Sequence, residues 1–251
     1  GLNWIIMNDI LVSAIIPSYN RYEYLNNAIS SVENQTYKNI EIIIVNDGST
    51  QKEYYENDFP GNVKVINLEE NQTAKNGFGP GSIRNYGIEA ANGEFLAFLD
   101  DDDIWMQDKI EIQLKKMLEK KMKFSSTEGF FGEGVYDGNE NYPLYNSEKF
   151  YKKIKKRYKG SKLFKNGFPE IWDHEFISIH NCIVLSSVIV EKKLIETVGG
   201  FRGIPVSGYR NIEGPNEDYD CWLGILRLTD LLYIDEPLFY YNGSHGDGKN
   251  Y

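Results

Sequence analysis

The chain has 251 residues, with 27 Lys+Arg against 37 Asp+Glu and a formal net charge of −10; 41% of positions are hydrophobic and 14% aromatic. This length and apolar content suit a folded chain of one large or two small domains and exclude wholesale disorder. The acid excess argues against general nucleic-acid binding, and no apolar run approaches the roughly 20 residues that cross a bilayer.

In chain order, Leu11–Ile16 is a short β-branched run ending at Pro17 and reads as a buried strand. Pro17-Ser18-Tyr19-Asn20 supplies turn chemistry and a candidate helix cap, after which Leu25, Ala28, Ile29 and Val32 share one helical face. Glu41–Val45 reads as a second strand, apolar on both faces as in a covered parallel sheet. It opens into Asn46-Asp47-Gly48-Ser49. Val63–Asn67 reads as a third strand, Ser82–Asn92 as a helix stopped at Gly93, and Glu94–Leu99 as a fourth strand. The second half is less regular. Met106–Met122 has an amphipathic helical pattern, Lys123–Tyr145 a loop-like one, and Ile177–Leu185 and Leu231–Asp235 resemble strands. Glu191–Val198 reads as a helix stopped at Gly199-Gly200, and Asn216–Arg227 as one that Asn216 caps, with Tyr219, Trp222, Leu223 and Leu226 on one face.

Alternation of strand and helix through the first half predicts an α/β fold with an open, mostly parallel sheet. Ligands of such sheets sit beyond the carboxyl ends of the strands. Three loops fall there: Pro17–Arg21, Asn46–Ser49 and Asp100–Asp103.

Four consecutive aspartates after a buried strand repel one another and call for a counter-charge. A hard cation such as Mg²⁺ or Mn²⁺, held by one or two carboxylates and substrate phosphates, meets that need; the alternative is an acidic turn capping the next helix. Asp47 can accept from a ligand base, Tyr19 can stack on one, and Arg21 and Arg84 can contact phosphate oxygens. Each alone is ordinary surface or packing chemistry. The first βα turn lacks G-x-G-x-x-G and the chain lacks G-x-x-x-x-G-K-[ST], which disfavours dinucleotide-binding and P-loop architectures. Gly77, Gly79 and Gly81 fit neither fingerprint and read as a phosphate-side loop or a plain turn. Glu217-Asp218 at a helix start has two readings, a complement to the helix dipole or a general base.

Two features stand apart. Nine of the 27 basic residues and one of the 37 acids lie between Glu148 and Phe168. This Lys149–Lys165 segment reads as a solvated helix or loop, or as a patch for an anionic membrane surface or acceptor. Cys182 and Cys221 are too few for a disulfide scaffold and lack metal spacing, and Gly1–Met7 lacks the basic start of a secretory signal, so a cytoplasmic setting is expected, peripheral to a membrane if the patch engages one.

The segments VSAIIPSYNR (Val12–Arg21), EIIIVNDGS (Glu41–Ser49), IRNYGIEAANGEFLAFLDDDDIW (Ile83–Trp105), VGGF (Val198–Phe201) and NEDYDCWL (Asn216–Leu223) resemble, in order and spacing, the family 2 inverting glycosyltransferases of the GT-A fold. The resemblance spans Val12 to about Tyr241. It implies one domain, with a nucleotide-sugar-binding half over residues 10–122 and an acceptor-binding half over 123–251. It also implies a nucleotide-sugar donor, usually of UDP, and a Mn²⁺ or Mg²⁺ cofactor. By the same resemblance Pro17 and Tyr19 line the base pocket, Asp47 bonds the base and Arg84 lies on the nucleotide side. Asp100 and Asp102 match the outer and third acids of the D-x-D-D pattern, with Asp102 the metal ligand and Asp100 beside it; Asp101 is open to a ribose contact. Asp218 matches the catalytic base, and Glu217 orients acceptor or base. The arginine-rich motif of processive members is missing after Trp222, which implies transfer of single sugars. His245 matches a late histidine only weakly. A sugar-phosphate nucleotidyltransferase would want a glycine-rich basic loop after the first strand, which Pro17–Arg21 does not provide. A non-catalytic nucleotide-sugar or glycan-binding relative would not need the acids at Asp100–Asp103 and Asp218.

Overall fold

The structure is a computed structural model that describes residues 4–76, 80–138, 141–203 and 217–245. Four apolar runs set the first half of the sheet: β1 (Val12–Ser18), β2 (Ile40–Asn46), β3 (Val63–Asn67) and β4 (Phe95–Phe98). Every residue of β1 and β4 is buried, because helices cover both faces and no strand position is left to water. The four pair in parallel in the order β3-β2-β1-β4, with Ser18 opposite Asn46 and Ile15 opposite Phe98. Their carboxyl ends therefore share one edge. The Tyr22–Glu33 helix crosses from β1 to β2 and buries Leu25, Ala28, Ile29 and Val32, the face its sequence spacing predicts.

The second half adds β5 (Ile104–Trp105), β6 (Phe124–Gly132), β7 (Ile171–Trp172), β8 (Ile189–Glu191) and β9 (Leu231–Asn242). The full order is β3-β2-β1-β4-β8-β6-β9-β5, with β7 paired to β9. Short antiparallel contacts of β8 with β4 and β6 join the halves, and β6 and β9 run parallel over a longer register broken by bulges around Glu128.

Several sequence expectations give way here. Lys123–Tyr145 is no loop, since Phe124–Gly132 is a nine-residue strand. Its Gly129, a loop signal in the sequence, is instead the space into which the Phe239 ring packs: a Cβ there would lie 2.3 Å from that ring. Ile177–Leu185 is not a strand. Asp173 caps a helix over His174–Ile179 by accepting from the Phe176 N–H at 2.8 Å, and that local bond outweighs the apolar run. The pattern at Leu231–Asp235 continues to Asn242. Before β4, Pro80–Ile83 is a 3₁₀ turn and the α-helix spans Arg84–Ala90. Asn20 caps no helix; its Oδ1 accepts from the N–H groups of Thr50 and Gln51 and ties the β1 loop to the β2 loop. Asn216 lies outside the described residues, as do Gly77 and Gly79.

One apolar cluster fills each side of the sheet, Ile16, Ile44 and Phe239 on one and Ile15, Phe98 and Trp222 on the other. Trp222 is fully buried where the halves meet, its ring 5.6 Å from those of Phe124 and Phe201 and 6.4 Å from Phe98. No helix of the described residues is long and apolar enough to cross a membrane. Truncation of Trp222 to alanine empties that joint and should cost roughly 3–5 kcal/mol. Urea unfolding monitored by circular dichroism would show the midpoint falling by a matching amount; an unchanged midpoint would mean that the halves hold together elsewhere.

Candidate functional site

Parallel pairing places the loops after β1, β2 and β4 side by side, and hydrogen bonds fix their spacing. Ser18, the last residue of β1, donates from Oγ to Asp101 Oδ2 at 2.8 Å. That leaves the Ser18 oxygen to accept from the Tyr54 hydroxyl at 2.5 Å, and the Tyr54 oxygen accepts from the Arg21 N–H at 3.0 Å. The result is a directed chain, Arg21 N–H to Tyr54 to Ser18 to Asp101, in which each hydroxyl donates onward to the next group. The β2 loop turns at Gly48, whose φ is +68°; a Cβ there would lie 2.4 Å from the backbone of Glu70 and Asn71, so only glycine fits.

Each aspartate of the run has its own surroundings. Asp100, with the most open side chain, pairs with Arg84 at the start of the Arg84–Ala90 helix. Asp101 is fully buried and accepts from Ser18 and, at 3.3 Å, from Arg21 Nη1. Asp102 is 9% exposed at its side chain and lies 3.4 Å from the same Arg21 nitrogen. Asp103 points into the protein, where Ser186 Oγ donates to it at 2.6 Å and the Asn242 N–H at 3.0 Å. Ser186 in turn accepts from the Asp100 N–H at 3.1 Å, so the acidic turn is clamped from below.

Two guanidinium groups do not neutralise this concentration of charge. Burial pushes the Asp101 carboxyl up to about 6 against the pull of Arg21 and Ser18. Burial, then the charges of Asp100 and Asp101, push Asp102 up to about 7. Burial also raises Asp103 well above the usual carboxylate range. Among the described residues no three His, Cys, Asp or Glu side chains converge as a metal cluster. The donor set nonetheless fits a hard cation, since Mg²⁺ commonly uses one or two carboxylates and completes its shell with phosphate oxygens and water.

The second half contributes the Glu217–Ile225 helix. Asp218, in its first turn, sits within electrostatic reach of Arg84 and Asp100; burial raises its pKa, and Arg84 opposes the rise. Glu217 is buried, and its Oε2 accepts from the Ser82 N–H at 3.1 Å, directly ahead of the Arg84 helix. Gly81 has no Cβ to block this approach; one would stand 2.1 Å from Glu217 Oε2. Glu217 thus docks its helix on the turn that carries Arg84.

Of the other residues singled out in the sequence, Pro17 lies within buried β1 and Tyr19 is half-buried just beyond it. Arg21 is buried against the acids. Asp47 is also buried, with its carboxylate accepting from the Gln72 N–H at 2.7 Å and from Thr73 Oγ1 at 3.0 Å. Burial raises its pKa and those donors lower it. His245 ends the turn that follows β9. Two supporting residues, Tyr54 and Ser186, carry no local motif in the sequence; Asp103 belongs to the acidic run, but nothing in the sequence marks its separate, inward-facing role.

This arrangement can be set beside known proteins. The model for glycosyl transferase family 2 matches residues 13–174. The chain belongs to glycosyl transferase family 2. An uncharacterized glycosyltransferase of Rickettsia typhi is 33% identical over 232 residues, covering 91% of this chain and 62% of that protein. The Escherichia coli UDP-Glc:alpha-D-GlcNAc-diphosphoundecaprenol beta-1,3-glucosyltransferase WfgD is 39% identical over 118 residues, 47% of this chain and 45% of that one. The chain spans between 20% and 62% of the length of the first curated relatives it matches. Staphylococcus aureus TarS 1-349, solved with UDP-GlcNAc, superposes with a TM-score of 0.60 at 19% identity, over 95% of this chain and 60% of that one. The Pyrobaculum calidifontis mannosyltransferase PcManGT, solved with GDP-Man and Mn²⁺, gives 0.60 at 16% identity, over 94% and 59%. At those identities the likeness shows the fold, which is GT-A.

The raised acids set a pH dependence. Asp101 and Asp102 ionise near 3.8 when unfolded and at about 6 and about 7 when folded, so in between the folded state holds the extra protons. Without metal, stability should therefore decline as pH rises from about 4 to about 7 and level off above. A divalent ion held by these carboxylates would offset the decline, with a stabilisation that grows across the same window. Thermal melts along a pH series with and without MnCl₂ measure both; a Mn²⁺ effect independent of pH would mean that these acids do not hold the ion.

Proposed function

We propose that the chain carries out metal-dependent, inverting transfer of one sugar from a nucleotide-sugar, a UDP-sugar in the first instance, to an acceptor hydroxyl. The observation that carries this reading is the position of Asp218. It comes from the last third of the sequence, yet it shares electrostatic contact with Asp100 and Arg84 at the nucleotide-side edge of the sheet. The family match, the UDP-Glc in the name of WfgD and the UDP-GlcNAc bound to TarS support the donor class. The Mn²⁺ in the PcManGT complex supports a divalent cofactor.

In this reading, residues up to about 122 hold the donor and later residues the acceptor. Pro17 and Tyr19 line the base pocket, and Asp47 faces the base from the β2 loop. Arg84 and Arg21 balance the phosphates and the acids together, and Asp101 holds the loop toward the ribose. Asp102, with Asp100, would hold the Mn²⁺ or Mg²⁺. When bound, the ion supplies Lewis-acid neutralisation of the charge that develops on the departing diphosphate. Asp218 accepts the proton of the acceptor hydroxyl as that oxygen forms its bond to the anomeric carbon. The bond from the anomeric carbon to the diphosphate breaks on the opposite face, and its electron pair leaves with the nucleotide. A half-buried Asp with a raised pKa is a better proton acceptor than a fully exposed one, provided it stays ionised at the working pH. Glu217 acts one step removed, by seating the helix that presents Asp218. The two cysteines are buried and unpaired, which fits a reducing compartment such as the cytoplasm.

Asp218→Asn should bind UDP as tightly as the parent chain while transfer, or donor hydrolysis in the absence of acceptor, slows by roughly 10²–10⁴-fold. Unchanged turnover would remove Asp218 from the role of base. Asp102→Ala should instead weaken Mn²⁺-dependent UDP binding measured by calorimetry; if Mn²⁺ still tightened UDP binding to the parent degree, Asp102 would not be a ligand.

A further inference from the structure

The Lys149–Lys165 segment is not used by the site, and its construction is specific. All nine basic residues are exposed, whereas Ile154, Tyr158 and Phe164 are buried. The anchors are firm. The Tyr158 hydroxyl donates to the Phe176 carbonyl, and its ring packs 4.8 Å from Phe176 and 5.3 Å from Phe164. Upstream, the buried Glu128 carboxylate accepts from the N–H groups of Asn146 and Ser147 at 2.9 and 3.0 Å, which fixes the turn leading into the Tyr151–Arg157 helix. The charges are thus mounted on an ordered ledge.

Among the described residues none of its eight lysines lies within ion-pair distance of a carboxylate. In the Tyr151–Arg157 helix Lys152, Lys153, Lys155 and Lys156 fall around the sides not occupied by buried Ile154, while Lys149 and Lys155 lie over the rings of Phe131 and Tyr151 at 4.7 and 5.8 Å. Compact ammonium groups spread along some seventeen residues of exposed chain suit a diffuse, extended anionic surface better than a single phosphate. The ledge also has a defined position. Lys153 and Arg157 bear on His180, which follows the His174–Ile179 helix, and the Tyr219 hydroxyl beside Asp218 donates to the Ile177 carbonyl of that helix at 2.6 Å. The basic ledge therefore flanks the half of the chain that carries Asp218, on a molecule whose overall charge is −10.

We infer that this ledge docks the protein on an anionic lipid bilayer, with the Asp218 half toward the membrane. The inference rests on charge and packing alone and is independent of the transfer reaction. Co-sedimentation with vesicles of phosphatidylcholine alone and of phosphatidylcholine mixed with phosphatidylglycerol tests it. Binding should need phosphatidylglycerol and fade as salt rises from about 0.1 M to about 1 M, where the screening length falls from about 10 Å to about 3 Å. The combined variant Lys152→Glu, Lys155→Glu, Lys156→Glu and Lys159→Glu should lose roughly tenfold or more in partitioning. All four side chains are exposed, so its melting temperature and UDP binding should match the parent chain. Equal binding to both vesicle types, no binding to either, or full binding by the variant would overturn the inference. Capture by soluble polyphosphate without vesicle binding would overturn it too and reassign the ledge to a soluble polyanion. Failure of UDP binding in the parent chain would count against the transferase reading and leave the vesicle result standing.

Discussion

Crowding of four carboxylates at the end of β4 is the constraint around which the site is built. The strand delivers them to one place, and like charges packed out of water cannot all remain ionised without help. The fold sorts them. Asp103 is turned inward to Ser186 and the Asn242 backbone, and Asp101 is held by Ser18 and Arg21. Asp100 meets Arg84, and Asp102 lies 3.4 Å from the Arg21 guanidinium. Two acids are thereby made part of the scaffold, and the other two stay at the edge where a cation and a diphosphate would complete the charge balance. The raised pKa values follow from burial first and, for Asp102 and Asp103, then from the neighbouring carboxylates.

The joint between the halves gives this edge its chemistry. Glu217 seats its helix on the Gly81-Ser82 turn, and Trp222 from the same helix packs among Phe98, Phe124 and Phe201. Those two contacts hold Asp218 near Arg84 and Asp100. The buried Glu217–Ser82 bond and the proximity of Asp218 to the strand-end acids are the features on which the proposed base role rests.

Much of this was legible in the residues. The first four strands and the Tyr22–Glu33 helix could be read because burial on both faces makes parallel strands nearly all apolar, and because a covering helix repeats every three to four residues. The second half was harder. Gly129 has the composition signal of a loop residue, yet the Phe239 ring fills the place of its missing side chain, and Asp173 turns an apolar stretch into a helix through one bond. The candidate site was readable where chemistry is concentrated, in the four aspartates and the Glu-Asp pair. It was unreadable where support comes from single hydroxyls. Tyr54 and Ser186 act only because folding brings them within reach of residues 36 and more than 80 positions away. The hold of Asp47 on Gln72 and Thr73 is hidden for the same reason.

The most direct measurement is a crystal structure of the chain grown with UDP and Mn²⁺, with anomalous scattering to locate the metal. The account predicts one manganese peak beside the carboxylates of Asp102 and Asp100, with the base at the ends of β1 and β2. A nucleotide bound at another face of the sheet, or a manganese peak remote from Asp102, would contradict it.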